Sequence, residues 1–431
     1  MFKIKSIDKN FVYLLLIGSL IQFLFFLGLE SSVFRFMGLI LFIIPILIFK
    51  PPYIILLIFL LIPNQRLLIL NEGGTSIINL YFVLLFFQSF FIPYKSNLNK
   101  RKYVISLFLF VTYGAILTLL NNSLGELIIL IKAFVVVYVL SFYSISFGTS
   151  MKTNIVYSFV LGVIITSLFG FLSSGFGSIN RFDGGDLNEP NYFGSICAIS
   201  LALIVFLYKS EKITSFYFYF TFLFLLFMGL ITQSRSFLLC IGIILFSYVI
   251  VDLKKTFFKV IVFLTGSIIF FSSSIINFYN NSALFNSISE RVLNPRNDDV
   301  SGGRFEIWEQ YESAVFSSDK NLFFGIGNNA FQTLNFEQVA HNFFIEDVVT
   351  IGILGVFVCY CFLFIVYKEV NKGRIFLISV LPLIVFLTTN MTLHSFLGMG
   401  GLTQLFLCFL VMNLYNSIKN ENTRYSRFRN T

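Results

Sequence analysis

The chain has 431 residues, of which 57% are hydrophobic and only 12% are charged, and its mean hydropathy is +0.86. Because a soluble domain contains about 25% charged residues, this composition excludes an ordinary soluble protein and indicates one that crosses a bilayer many times. The net charge of +9 needs no nucleic-acid partner, since Lys and Arg collect on one side of membrane proteins and attract anionic lipid.

The first apolar segment is interpreted as a retained membrane span. Three lysines precede residues 11–29, which are mostly apolar. A secretory signal would have a shorter apolar core and a cleavage site of small residues, and neither is present. We therefore expect this segment to stay in the membrane.

Apolar segments of similar length recur along the chain. A helix needs about 20 apolar residues to cross the hydrocarbon core. The sequence therefore predicts an all-α polytopic membrane protein with about 14 transmembrane helices (range 12–14). The predicted spans are 11–29, 33–49, 53–70, 77–93, 103–120, 126–147, 153–172, 192–208, 213–232, 236–251, 257–276, 343–367, 374–390 and 396–416.

This interpretation divides the chain into four regions. Residues 1–276 form a transmembrane bundle of about 11 spans, and 277–341 form a large periplasmic loop with amphipathic helices. Residues 342–418 form the C-terminal transmembrane helices, and 419–431 a cytoplasmic tail. With both termini cytoplasmic, 21 of the 30 Lys and Arg residues lie on the cytoplasmic side and eight on the other. This bias predicts a multi-pass membrane protein with both termini cytoplasmic.

The eight basic residues predicted on the periplasmic side have an unusual composition. Seven are arginine, whereas the cytoplasmic set holds 16 lysines and five arginines. The planar guanidinium group binds phosphate or carboxylate through two parallel hydrogen bonds, so this surface suits a lipid phosphate or pyrophosphate. Salt bridges with acids such as Asp183, Asp186 and Glu189 are the alternative. The eight residues are Arg35, Arg66, Arg181, Arg235, Arg291, Arg296, Arg304 and Lys320.

Three features of the periplasmic side precede the large loop. Lys132 follows Glu126 by six residues, roughly 9 Å below the outer face by helical rise, and either snorkels upward or lines a polar cavity. Residues 181–194 read RFDGGDLNEPNYFG and form a turn-rich loop before a span. Arg235 starts the next periplasmic-side helix, between two serines.

The large loop is expected to fold as an amphipathic cap on the membrane surface. Phe305, Trp308, Tyr311 and Val315 recur at helical spacing and predict one apolar helix face. Residues 325–331 read as a turn, and 329–339 as a second short helix. The alternative is a structural lid without catalytic residues.

His341 ends this loop at the mouth of the span 343–367, where Asn342 is a candidate N-cap. A neutral imidazole can accept a proton from a sugar hydroxyl, although a histidine at a helix start can also serve only as a local hydrogen-bond partner. Glu346 and Asp347 lie about one turn into the span, at a depth where ionisable groups are costly and are candidates for function.

Four motifs in order resemble the O-antigen ligase/polymerase superfamily of bacterial envelope enzymes. NEPNYFG precedes a span, where the family has an Asn-Pro-Asn-like element, and Ser234-Arg235-Ser236 starts the next periplasmic-side helix. Gly303-Arg304 with Trp308 lies in the large loop. His341-Asn342 is followed after nine residues by the Gly-x-x-Gly of Gly352 to Gly355. The likeness covers roughly 181–355, and Glu189 departs from the family pattern, so no ligand role carries over there.

This resemblance implies a glycosyltransferase that uses a polyprenyl-pyrophosphate-linked oligosaccharide as donor. In a polymerase, the acceptor would be a second such lipid-linked glycan. By the likeness, Arg235 and Arg304 would hold the pyrophosphate, and His341 would position or deprotonate the acceptor hydroxyl. A chain-length regulator protein is a candidate partner. The further candidates for substrate binding are Arg181, Lys132, Arg291, Trp308 and Glu346.

No cofactor or metal is expected. The five cysteines lie inside apolar segments without paired spacing, and the chain has only two histidines and no Asp-x-Asp. The resemblance likewise implies metal-independent chemistry.

The motifs leave the acceptor open. Fourteen spans exceed the twelve common among ligases and favour a polymerase, while a ligase would transfer the finished glycan to lipid A core or another acceptor. A flippase for lipid-linked oligosaccharides is the alternative from another class. The long periplasmic loop and the one-sided arginines argue against it, as does the lack of repeated halves.

Overall fold

A computed structural model describes residues 9–70, 76–91, 100–145, 147–174, 182, 189–251, 304–327, 330, 334, 336, 339–371, 376–391 and 397–429. In these residues the chain is helical and has no strand, apart from an isolated bridge between Ile69 and Ser76. The predicted all-α polytopic fold class is confirmed.

The described residues form fifteen α-helices and one 3₁₀ turn, Ile62–Asn64. The helices are α1 (Lys9–Leu27), α2 (Ser32–Ile48), α3 (Pro51–Leu61), α4 (Ile78–Phe91), α5 (Lys100–Asn121), α6 (Gly125–Ser144), α7 (Thr149–Ser174), α8 (Pro190–Lys209), α9 (Ser215–Ile231), α10 (Arg235–Val251), α11 (Arg304–Phe316), α12 (Asp319–Phe324), α13 (Phe343–Val370), α14 (Leu377–Asn390) and α15 (Met399–Arg429).

Thirteen of the fourteen predicted spans coincide with an apolar helix of the described chain, seven of them long enough by themselves to cross a membrane. The span predicted at 257–276 lies outside the described residues. The third span was predicted as one segment, 53–70, but α3 ends at Leu61 and the chain turns through Ile62–Asn64. Pro63 explains this early end, because proline removes a helical N–H donor and clashes with the preceding turn.

The bundle has a protein-buried centre and a lipid-compatible exterior. From Phe193 to Leu207, α8 is buried throughout, and so is α3 from Ile54 to Leu61. Helices around them expose large apolar side chains, such as Phe216 and Phe220 of α9. Such an exterior suits contact with acyl chains, while close packing and interhelical hydrogen bonds join helices in the interior.

A buried amide pair fixes the broken end of α3. The Gln22 side chain of α1 donates to the Leu60 carbonyl at 3.2 Å and accepts from Asn64 Nδ2 at 2.8 Å. Both side chains are fully buried. The pair therefore satisfies backbone and side-chain groups that the end of α3 would otherwise bury without partners.

The helix ends sort into two faces. We call the end that holds the start of α13 the His341 face, and contacts place the starts of α6, α8, α10 and α15 there as well. At the opposite end, Lys102 at the start of α5 pairs with Glu369 near the end of α13 at 3.8 Å, and Tyr157 donates to the Lys212 carbonyl. The helices therefore alternate in direction, as the span prediction requires.

Part of the large loop is described. The predicted amphipathic helix is α11, and the predicted turn begins at Gly325, whose φ of 77° is left-handed. The second helix predicted at 329–339 falls mostly outside the described residues. An unpredicted helix, α12, lies between these elements and is capped by Ser318, whose hydroxyl accepts from the Asn321 N–H at 3.2 Å.

Candidate active site

The start of α13 holds His341 in a defined position. Asn342 is the N-cap that the sequence predicts, because its Oδ1 accepts from the N–H groups of Phe344 and Ile345 at 3.0 and 3.4 Å. His341 itself has φ +49°, a left-handed conformation that few non-glycine residues adopt. Such backbone strain persists where surrounding contacts hold it, and it is frequent at functional sites.

Helix α11 packs against this helix start. The Trp308 indole N–H donates to the carbonyl of Ala340, the residue before His341, at 2.7 Å. Further along α11, Tyr311 and Val315 are buried against Val349 of α13. Tryptophan therefore ties the loop helix directly to the backbone that carries the histidine.

Arg304 lies on the same side of α11 as Trp308. The two residues are four positions apart, which places them one turn apart on one face, about 6 Å along the axis. The prediction that Phe305 belongs to the packed apolar face of α11 was wrong, because its side chain is 62% exposed. Its ring meets the Trp308 ring edge-on, with the ring centroids 5.5 Å apart. Ile307 joins the packed face instead.

Glu346 belongs to the same cluster. It is partly buried one turn into α13, and Asp347 beside it is fully buried. Burial, and in second place the charge of Glu346, raises the pKa of Tyr311 to about 12. The phenol of Tyr311 therefore remains protonated at neutral pH next to the Glu346 carboxylate.

The Gly-x-x-Gly motif breaks α13 nine residues after its first residue, Phe343. Gly352 has φ +67° and lies inside an otherwise helical run. The loop before α13 fills the break, because the Ile326 N–H donates to the Val349 carbonyl at 2.7 Å. On the bundle side, the Tyr113 hydroxyl donates to the Ile351 carbonyl at 2.6 Å. The motif therefore joins the loop, α13 and α5.

Gly352→Ala is expected to detach the loop from α13. A Cβ at Gly352 would lie 2.3 Å from the Phe323 carbonyl oxygen and 2.5 Å from the Gly325 nitrogen, and left-handed strain adds about 1–2 kcal/mol. Limited proteolysis of the purified protein should show faster cleavage within 304–327, together with a lower Tm.

Gly242→Ala is the matched control, because nothing lies within 4 Å of its Cβ position in α10. It should leave proteolysis and Tm unchanged. Equal resistance of the Gly352 and Gly242 variants would contradict the role given to the break.

A cavity of about 490 Å³, with polar groups set in a mostly apolar lining, opens beside α6, α8 and α15. Two cationic side chains line it, Lys132 and Arg66, together with the carboxylate of Glu189. Of the two alternatives given for Lys132, snorkelling or lining a cavity, the structure shows the second. The remaining described lining residues are Gln65, Ile69, Ser76, Asn79, Ile129, Val136, Tyr192, Asn390, Leu397, Gly398, Met399, Gly400, Gly401 and Gln404.

Tyr192 of the NEPNYFG motif forms hydrogen bonds with two other residues of the cavity wall. The Tyr192 hydroxyl accepts from the side-chain amides of Gln65 at 3.1 Å and Gln404 at 3.4 Å. A Cβ at Gly400 would lie 2.6 Å from Gln65 Nε2. The turn after α3 and the starts of α8 and α15 therefore meet around one hydroxyl.

Arg235 begins α10 on the far side of α8. The preceding residue, Ser234, lies close to Gly194 of α8. A Cβ atom added at Gly194 would be 3.0 Å from the Cβ of Ser234. Gly194 and Tyr192 are two positions apart and therefore point to opposite sides of α8. Gln233, two residues before Arg235, has φ +52°, so a left-handed residue precedes Arg235, whereas His341 is itself left-handed.

The His341 face therefore groups the predicted residues unevenly. Trp308 and Glu346 lie where α11 packs on the start of α13, and Arg304 lies one helical turn from Trp308. Lys132 lies in the cavity and Arg235 beside α8. Two further predicted substrate-binding residues, Arg181 and Arg291, lie outside the described residues.

The α5–α6 turn links the cluster to the cavity. A Cβ at Gly327 would lie 2.8 Å from Glu126 Oε1, and Lys132 follows on the same helix. Sequence reasoning missed the cavity roles of Arg66, Gln65 and Tyr192, since only tertiary packing brings the turn after α3 to α8.

The described residues contain no group of three or more His, Cys, Asp or Glu that could hold a metal. All five cysteines are described and free, and all but Cys361 are buried. They are not disulfide-linked, as expected from their positions in apolar segments.

Fold and site together define a polytopic membrane protein with a polar, arginine-bearing face. Residues 220–360, which include Arg235, Arg304 and His341, match the family model described as O-antigen ligase. The chain is 26% identical over 250 residues to the ComP-specific O-oligosaccharyltransferase of Acinetobacter baylyi, covering 50% of this chain and 40% of that relative. The chain thus aligns with about two fifths of that relative's length. No solved structure matches. These comparisons support the O-antigen ligase/polymerase superfamily and confirm the resemblance seen in the motifs.

Proposed function

We propose that this protein is a membrane glycosyltransferase that moves an oligosaccharide from a polyprenyl pyrophosphate to an acceptor hydroxyl at the His341 face. One observation carries the proposal. The Trp308–Ala340 hydrogen bond places the helix of Arg304 against the residue that precedes His341. A base and a fixed guanidinium group thus come from separate segments to one helix mouth.

The leaving group sets the first chemical requirement. As the bond between the anomeric carbon and the pyrophosphate oxygen breaks, its electron pair stays on the pyrophosphate. Arg304 would stabilise this charge most strongly in a site that excludes water, and Arg235 of the same face is the second candidate cation. No ATP is required, because the pyrophosphate linkage already supplies the driving force.

The acceptor sets the second requirement. Its hydroxyl oxygen forms the new bond to the anomeric carbon and loses its proton to the imidazole of His341. Attack opposite to the leaving group inverts the anomeric centre. Trp308 offers the sugar an aromatic surface as well as fixing the loop helix.

The side of the membrane follows from charge. The topology with 21 basic residues on the side of the termini gives the His341 face eight, seven of them arginine. By the positive-inside rule this face is periplasmic and the membrane is the inner membrane. The glycan would then lie in the aqueous layer while its lipid remains in the bilayer.

Polymerisation of lipid-linked repeat units is the first candidate reaction, favoured by the fourteen predicted spans. Transfer of a finished glycan to a different acceptor is the second. It is favoured by the match to the O-antigen ligase family and by the likeness to an O-oligosaccharyltransferase.

Deleting the gene should separate the two reactions. Loss of a polymerase should leave surface glycans of a single repeat unit, whereas loss of a ligase should leave long glycans on the polyprenyl lipid. Electrophoresis of surface and lipid-linked glycans reads both, with the plasmid-restored strain as control. Normal glycans in both fractions would contradict the proposed function.

A further inference from the structure

The loop and the first turns of α13 share a hydrophobic core of their own. The next buried apolar residues of α13, Ile351 and Val356, belong to the core of the bundle instead. We call the described residues of 304–350 the cap. The cap carries both His341 and Arg304, so its position on the bundle fixes the position of both residues. The buried members of its core are Tyr311, Val315, Ala330, Ala340 and Val349.

The cap meets the bundle at the break in α13. The left-handed Gly352 interrupts the helical residues that begin at Phe343, and the Val349 carbonyl before it accepts from the loop. Sharp kinks in helices form where the regular hydrogen bonds are interrupted in this way. Phe324 and Val348 of the cap are partly buried and pack on the core of the bundle. Gly352 is therefore the joint about which the cap would turn.

Tyr113 of α5 fastens the cap to this joint. Its buried hydroxyl donates to the Ile351 carbonyl at 2.6 Å and lies 3.2 Å from the Phe323 carbonyl at the end of α12, to which it also donates. One hydroxyl thus contacts a carbonyl of the joint and a carbonyl of the cap. Its ring stacks on that of Phe324, with the centroids 6.3 Å apart. A Cβ added at Gly355 would lie 2.7 Å from Tyr113 Cε1, so the ring also packs on α13 beyond the joint.

A second bond between the cap and the bundle is more exposed. The Lys320 ammonium group donates to the Leu120 carbonyl at 2.9 Å, and its side chain is open to solvent. Water competes for such a bond and replaces it at little cost. The Tyr113 hydroxyl is buried, so water does not readily take its place. We therefore expect Tyr113 to hold the cap more firmly than Lys320 does.

A small turn at Gly352 would displace His341 by a distance that matters for a reaction. Phe343, the first residue of α13, is nine residues from Gly352, about 13 Å along the helix axis. A rotation of about 5° over that length moves the start of α13 by about 1 Å. A shift of about 1 Å in a reacting group can lower a rate about 100-fold. The bond made by Tyr113 therefore acts on His341, although Tyr113 lies beside the joint and not at the start of α13.

Resting on the proposed glycosyl transfer, we propose that Tyr113 is a positioning residue for His341. It locks the cap against the bundle at the α13 joint, so that His341 and Arg304 meet the substrate as one fixed unit. It takes no part in the proton transfer itself. Without its hydroxyl the cap turns about Gly352, and His341 spends less time in the reactive position.

Tyr113→Phe tests this role, because it removes the hydroxyl and keeps the ring. Double electron–electron resonance of the full-length protein in nanodiscs measures the distance between spin labels at Glu312→Cys of the cap and Leu172→Cys near the end of α7, both exposed positions. Cys361→Ser removes the exposed native thiol, and the other four cysteines are buried. We expect one narrow distance distribution with Tyr113 and a distribution broader by at least about 1 Å in Tyr113→Phe, as a turn of about 5° at the joint gives.

Transfer from a polyprenyl-linked glycan is measured on the same variants. Tyr113→Phe should lower kcat about tenfold or more, with a Tm close to that of the wild type. Tyr157→Phe is the matched control, because it loses the same kind of bond, from a tyrosine hydroxyl to the Lys212 carbonyl, at the opposite end of the bundle. It should keep the narrow distribution and retain transfer within about twofold. If Tyr113→Phe does not accumulate, Gly355→Ala takes its place, because the added Cβ displaces the Tyr113 ring.

The outcomes separate this inference from the proposed function. An unchanged narrow distribution in Tyr113→Phe overturns the inference, and so does a broader distribution with full transfer. Equal losses of transfer in Tyr113→Phe and Tyr157→Phe would assign both hydroxyls to general stability and overturn it as well. Each of these results leaves glycosyl transfer standing. No transfer by the wild type contradicts the proposed function and, with it, the positioning role.

Discussion

His341→Ala is expected to reduce glycan transfer at least about 100-fold while the protein still inserts and accumulates. A positioned general base contributes about 10²–10⁴-fold to such reactions, and His341 is the described histidine at the mouth of α13. The variant keeps the Asn342 cap and the Trp308 bond to the Ala340 carbonyl. Transfer by the purified protein from a polyprenyl-linked glycan, read by electrophoresis, gives the measurement.

The left-handed backbone at His341 requires its own control. Its φ of +49° is costly for alanine but well tolerated by asparagine. His341→Asn therefore keeps the conformation and a polar side chain while removing the base. Both variants should be inactive, with unchanged Tm for the asparagine variant. An active His341→Asn would assign the residue a backbone role and remove it from catalysis.

Arg304→Lys is expected to lower transfer about 100-fold although it preserves the charge. Removing one fixed donor from a developing anion typically costs about 10²–10³-fold, and lysine replaces a planar fork with a point charge. Arg304 is the first residue of α11, one turn from Trp308. Because Trp308 fixes this helix, the helix cannot shift to bring the shorter lysine side chain to the same position. The same transfer assay measures the effect.

Arg35→Lys provides the comparison for this substitution. Arg35 is an arginine of the same face whose guanidinium donates to the Ile69 carbonyl at 3.4 Å, and it lies outside both the α11–α13 packing and the cavity. It should retain transfer within about twofold, as expected for a partly exposed residue away from the chemistry. Comparable losses in the two variants would show that arginine is needed on this face for stability rather than for the pyrophosphate.

Much of the architecture could be predicted because membrane spans have a local signal. A sufficiently long apolar segment predicts a helix. The bilayer core offers no hydrogen-bond partners for backbone N–H and C=O groups, and apart from a closed barrel only a helix pairs these groups internally. The prediction was wrong within 53–70, where Pro63 and the buried Gln22–Asn64 pair end α3 early. It also missed α12, which is too short and polar for any periodicity to reveal.

The sequence likewise predicts the role of some candidate site residues but not of others. Asn342 could be predicted as an N-cap, because a side chain acts there on N–H groups two and three residues away. Phe305 could not be assigned correctly, because helical spacing does not decide which edge of an amphipathic face meets a partner. The cavity residues Arg66 and Lys132 come from segments more than sixty positions apart, and no local pattern joins them.

The sequence by itself determined that this protein is a polytopic helical membrane protein, and its ordered motifs determined the superfamily that it resembles. These properties depend on apolar length, charge bias and short-range capping, each of which acts within a few residues. The tertiary structure alone decided that Trp308 donates to the Ala340 carbonyl, that the Gly325 turn fills the break at Gly352, and that Lys132 and Arg66 line the same cavity. Such contacts depend on how helices distant in the chain pack against one another, which local residue pattern does not specify.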